Sequence, residues 1–189
     1  MVAHPSLVNV GSPWPWFRSS TYPPPPMDVE GLLAIQRSSF QGATPAFRRG
    51  WPESEALTRD GLAALLERHP YCVLATSRAD GRPQAAPVAY VVYESAFWFA
   101  TVAGLRLRNL TAHPWAALVV MEGDADVGEV GQPHVALTAE GPTKLHEIDE
   151  WRLFETEWLR RHTDPPTWAA ALVELRPERV FSHAAPVDT

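Results

Sequence analysis

The stretch YCVLATSRADGRPQAAPVAYVVYESAFWFATVAGLRLRNLTAHPWAALVVM, Tyr71 to Met121, decides the fold. Tyr71 to Ser77 is a short apolar run of the kind that forms strands. Asp80-Gly81 supplies a turn that needs positive φ, and Arg82 to Tyr93 is a second extended run, so the pair predicts a β-hairpin. Ala96 to Thr101 is a third strand with aromatic side chains on both faces. Arg106 and Arg108 follow on a short helix that His113-Pro114 closes, since proline cannot continue the helical ladder. Trp115 to Met121 returns as a fourth strand. Two arginines clustered just after a strand point to an anion site.

Upstream, Thr58 caps the helix TRDGLAALLERHP, in which Leu62, Leu65 and Leu66 share a face and Pro70 prevents continuation. A shorter helix is expected from Asp28 to Phe40, with Asp28 as N-cap and Leu32, Leu33 and Ile35 on its apolar side. Prolines recur from Met1 to Pro26, which favours an extended arm. Solvated tails are poor in aromatics, so Trp14, Trp16, Phe17 and Tyr22 imply that this arm docks on the body or on a second subunit. The expected division is residues 1–50 as a Pro-rich arm or extension and 51–189 as the main domain.

Downstream, EGDADVGEVGQP reads as a solvated hairpin loop. Asp124 and Asp126 in it lack the further oxygen ligands and closing glutamate of a calcium loop. A strand from His134 to Leu145 precedes an amphipathic helix, Asp149 to Arg161, with Trp151, Phe154 and Trp158 on one face. Trp168 to Leu175 is the expected last strand, followed by RPERVF as a closing turn.

Composition narrows the function. The chain has 189 residues, 46% of them hydrophobic, enough for one domain with a proper core plus an extension. Net charge is -6 and Lys144 is the sole lysine, so no basic patch awaits a nucleic acid. Cys72 is the only cysteine, which rules out an intramolecular disulfide and a cysteine-based metal cluster. No secretory signal or long apolar span is present, and a soluble cytoplasmic protein without membrane contact is expected. The motifs G-x-S-x-G, Walker loop and H-E-x-x-H are absent, and the seven histidines are dispersed, so no metal site is expected.

The segments VLAT (Val73 to Thr76), ADGRP (Ala79 to Pro83), Pro87-Val88 and RLRNLTAHPWAALVV (Arg106 to Val120), in this order and spacing, resemble the pyridoxamine 5'-phosphate oxidase-like, FMN-binding split β-barrel superfamily. The resemblance spans roughly Thr58 to Phe181. It implies a mainly β, α+β fold: a split β-barrel of about six antiparallel strands with flanking helices. It also implies a homodimer with FMN or the deazaflavin F420 in clefts between subunits, and an oxidoreductase acting on a small molecule. The cofactor-binding residues implied are Ala75, Thr76, Pro87, Val88, Ala89, Thr101, Arg106, Arg108 and Asn109. Arg106 matches the basic phosphate position, usually lysine in the deazaflavin branch, and Gly104 stands where Ser or Thr is common.

The residues themselves are compatible with that reading. Ala85, Ala86 and Ala89 are small enough for a planar ring to approach the backbone. Pro83 and Pro87 withdraw N–H groups and so suit an edge or bulge. Arg106, Asn109 and His113 fall on one helical face and Arg108 on another. No side chain stands out as catalytic, although Tyr90 and His134 are candidates to line the substrate side. Phe97, Trp98 and Phe99 lead to the expectation that one face of their strand meets a second subunit. The competing class is a non-catalytic flavin- or haem-binding protein, or a haem-degrading one, with His183 as the candidate iron ligand.

Overall fold

In the computed structural model, which describes residues 29–122 and 134–185, the chain is built from α1 (Glu30–Gly42), α2 (Pro45–Gly50), α3 (Arg59–Arg68), β1 (Tyr71–Ser77), β2 (Pro83–Ala89), β3 (Val91–Tyr93), β4 (Ala96–Thr101), α4 (Leu105–Ala112), β5 (Trp115–Met121), β6 (His134–His146), α5 (Glu155–His162), β7 (Ala171–Leu175) and β8 (Arg179–Ala185). Short 3-10 helices lie at Glu53–Glu55 and Ile148–Phe154. The expectations for Met1 to Pro26, for Asp28 and for Asp124 and Asp126 lie outside the described residues.

All strand pairs are antiparallel. They form one curled sheet in the order β2-β1-β5-β6-β7-β4-β3, with β8 also on β6, which is the expected split barrel with eight strands in place of about six. Local chemistry accounts for the boundaries. The Thr58 hydroxyl accepts from Gly61 N–H at 3.3 Å to start α3, and Gly81, at φ 81°, turns the chain between β1 and β2. β2 pairs only with β1, so Pro83 and Pro87 sit on an edge where missing donors cost little.

β6 is the shared element. Its first half pairs with β5 and β8, and its end, from Thr143, pairs with β7. The change of partner comes next to Gly141, where an added Cβ would lie 2.1 Å from the Arg176 carbonyl oxygen of the β7–β8 turn. Only glycine admits that approach.

The interior of the curl gathers Leu62, Leu65 and Leu66 of α3, Leu74, Leu118 and Leu137 of the sheet, Phe97 and Phe99 of β4, and Leu32 of α1. A second cluster lies on the opposite face of β4, where Trp98 packs under Trp151, Phe154 and Trp158, its ring 5.0 Å from that of Phe154. This corrects the expectation for the aromatic strand. All six of its residues are buried, and the face carrying Trp98 is covered by the chain's own 148–162 segment.

Three other expectations change. The run Arg82 to Tyr93 is not one strand: Tyr90 donates its N–H to Pro70, and the residues beyond it leave β1 to pair with β4. The segment from Asp149 starts as a 3-10 helix before becoming α-helical at Glu155, with the same aromatic face buried. RPERVF is more than a turn, since Arg179 onward forms β8 against β6. At the other end α1 begins at Glu30 with Val29 in the N-cap position.

Candidate functional site

Asn109 sets the position of α4. Its buried amide donates to the Thr76 hydroxyl at 3.0 Å and to the Gln84 side-chain oxygen at 2.8 Å, pinning the helix to β1 and β2 together. One turn earlier, Arg106 therefore meets the free edge of β2, where its guanidinium donates to the Pro87 carbonyl across 3.4 Å. That is a long, weak bond. Arg106 is half-buried, and among the described residues no carboxylate pairs with it. Burial holds its pKa below the usual arginine value, with nearby Cys72 acting the other way. The first turn of α4 beside it has Gly104 at the N-cap, which offers no side-chain oxygen to the helix N–H groups. An unpaired cation next to an uncapped helix start can accept an anion without displacing a protein partner.

The other expected residues divide by face. Thr76 and Val88 point into the curl, and Thr101 and Asn109 are buried with them, so none of these four side chains is open to a ligand. Ala75, Pro87 and Ala89 point outward, as does Ala85, whereas Ala86 sits opposite Leu74 on the inner side. Arg108 is exposed and borders a separate open hollow with Ala103, Leu107 and Thr111. It does not converge with Arg106. Tyr90 is fully buried, its hydroxyl directed at the Leu66 carbonyl and its ring 5.1 Å from the Arg161 guanidinium, so it lines no substrate path. His134 is exposed at the start of β6. Cys72 is buried and its thiol is pushed up to about 12, which makes it a packing residue and not a nucleophile.

Two features escaped the sequence reading. Gln84 completes the Asn109 clamp, although a Gln in a strand carries no signal of that role. The second is a cleft of about 600 Å3 on the outer face of β5, β6 and β8, walled by Phe47 of α2. Pro87, Val73, Val119, Thr138 and Phe181 form one cross-strand row leading from the Arg106 edge to that cleft.

The family model described as pyridoxamine 5'-phosphate oxidase matches residues 58–184. The chain belongs to that family. Its pyridoxamine 5'-phosphate oxidase-like barrel is similar to three solved structures. A conserved hypothetical protein from Mycobacterium tuberculosis gives a TM-score of 0.60 at 17% identity over 71% of this chain and 89% of that one. The haem storage protein HutZ from Vibrio cholerae gives 0.56 at 18% identity over 65% and 92%. An FAD-binding protein from Mesorhizobium loti gives 0.55 at 19% over 70% and 96%. At such identities the likeness to these three structures is one of fold. No curated protein sequence matches the chain. Among the described residues no helix is long and apolar enough to cross a membrane.

Proposed function

We propose that this protein is an oxidoreductase that binds FMN or F420 and acts on a small molecule. The observation that carries the proposal is Arg106: a half-buried guanidinium without a carboxylate partner among the described residues, beside the uncapped start of α4. Its charge and fork geometry suit a phosphate, the group both cofactors have in common. Along the β2 edge, proline at positions 83 and 87 and alanine at 85 and 89 keep bulky side chains away from the backbone a planar ring would approach. The cofactor, when bound, supplies the redox chemistry through its ring. The protein's part is to bind the phosphate, orient the ring and exclude water.

The working unit is a homodimer. Tyr71 and Val73 of β1 and Met121 at the end of β5 are exposed together on one sheet face, a patch that association of two copies would cover. Family membership and the FAD-binding relative support a flavin-type ligand, and HutZ keeps haem as the competing one. Within this chain the ring of His183, the candidate iron ligand, stacks on Trp51 at 5.4 Å with Nδ1 3.2 Å from Glu55, which engages it inside the fold. The test is the absorption spectrum of the purified protein, followed by titration of apo protein with FMN and with F420. Saturable binding of one of them, with reduction and reoxidation on turnover, is expected. A Soret band with no flavin affinity would overturn the proposal.

A further inference from the structure

We infer that α1 and α2 add a second binding site to this barrel, a cleft for flat, uncharged aromatic molecules. Its volume of about 600 Å3 falls in the range of small-molecule pockets. The floor is the outer face of β5 and β6, where Ala117, Val119 and Thr138 present small side chains on a pleated surface. The wall is aromatic: the rings of Phe47 and Phe181 stand 4.3 Å apart at 44°, and Phe47 is 37% exposed. A planar molecule lying on the floor meets this wall edge-on or offset, the arrangements aromatic pairs favour.

The wall is fixed before any ligand arrives. Thr44 caps α2 by accepting from Phe47 N–H at 3.2 Å, and Pro45 follows at the first helical position. α1 is tied to β8 through buried bonds: Ser182 donates to Gln36 at 2.6 Å, and the Ser39 hydroxyl accepts from Val180 N–H at 3.0 Å. Such pre-ordering lowers the entropy cost of binding. Charge selects against anions. The charged lining residues are Glu140, Glu178 and Arg179, and Arg179 already bonds Glu140 at 3.2 Å, so no positive charge is spare.

The family match starts at residue 58, whereas Phe47 and the α1–α2 junction precede it. The barrel thus supplies the floor and Phe181, and the Phe47 side of the wall comes from the segment ahead of the match. Val119 lies two strands from Pro87 in the same row, about 10 Å away at the usual strand spacing. Beside the proposed cofactor, the cleft is then the place for an aromatic substrate. That placement rests on the proposed function, but the existence of the site does not.

The test is fluorescence titration of the full chain with prodan, a neutral naphthyl ketone, and with the anion anilinonaphthalene sulfonate. One prodan per chain is expected, with the anion at least tenfold weaker. Phe47→Ala should weaken prodan about tenfold, and Ala117→Trp, which fills the floor, should abolish it. Melting curves confirm that both variants fold. Arg106→Ala should leave prodan affinity unchanged, so loss of the cofactor reading and loss of this one are separable. Equal prodan affinity in wild type and Phe47→Ala overturns the inference, as does anion binding as tight as prodan. A wild type that binds no prodan, and whose dimer Ala117→Trp splits, assigns the cleft to a second copy and also overturns it.

Discussion

Replacing Arg106 by alanine tests the core of the functional reading, because two quantities should move very differently. In the folded protein the guanidinium makes one 3.4 Å hydrogen bond, to the Pro87 carbonyl, and has no ion-pair partner among the described residues. Its removal should therefore change stability by under about 0.5 kcal/mol, or roughly 1–2 °C in Tm for a chain of this size. A charge-assisted bond to phosphate is worth about 1.5–3 kcal/mol, so cofactor affinity should fall roughly 10- to 100-fold. Arg108 is exposed on another flank, and Arg108→Ala should cost less than about threefold, the small effect of a distant surface charge. The assay is calorimetric or fluorescence titration of apo protein with FMN and with F420, alongside a thermal melt of each variant. Equal affinities of wild type and Arg106→Ala for both cofactors would refute the phosphate assignment. A large drop in Tm would instead show that Arg106 is a structural residue.

Other expectations concern the fold itself. His162 lies 2.9 Å from the Tyr90 carbonyl, and burial holds its pKa below the ordinary histidine value. Above about pH 6.5 both folded and unfolded states are neutral there and the contribution is intact; below it the unfolded chain takes up the proton first and stability falls. His162→Gln should flatten that loss in Tm measured from about pH 7.5 down to about pH 5, above the range where carboxylates titrate. Gly141→Val should cost at least about 2 kcal/mol in urea unfolding, because its Cβ would meet the Arg176 carbonyl at 2.1 Å. Trp98→Ala should cost about 3–5 kcal/mol, while sedimentation shows the association state unchanged, since that side chain packs under helices of its own chain.

Signals confined to a few neighbouring residues were readable from the sequence. The Asp80-Gly81 turn, the Thr58 cap, the stop at Pro70 and the His113-Pro114 break each depend on backbone chemistry within one turn, and each stands in the structure. What escaped depends on distant partners. The run through Tyr90 keeps its extended character, and only Pro70 and β4 reveal that the chain changes partner there. The i, i+3 spacing of Trp151 and Phe154 serves a 3-10 helix as well as an α-helix. β8 gains its identity from β6, some forty residues upstream in the register Glu140↔Arg179. In the site, the arginine motif marked Arg106, but its lack of an acidic partner among the described residues follows from where the other described elements place their carboxylates. The Phe47–Phe181 wall brings together residues from opposite ends of the described chain, beyond the reach of any local pattern.

The sharing of β6 between the two halves of the curl governs how the molecule comes apart. A barrel whose halves owned separate strands could lose one and keep the other. Here β5 and β8 hold one stretch of β6 and β7 holds the next, so melting either half strips pairing from the same continuous backbone. Unfolding should be one cooperative event with no half-open state. The β6 amides bonded within the ladder should exchange with solvent only through global opening, while those on the free edge of β2, the edge that meets Arg106, exchange through local fraying. Rigidity is thus concentrated in the seam of the barrel, and compliance at the border where a ligand would enter.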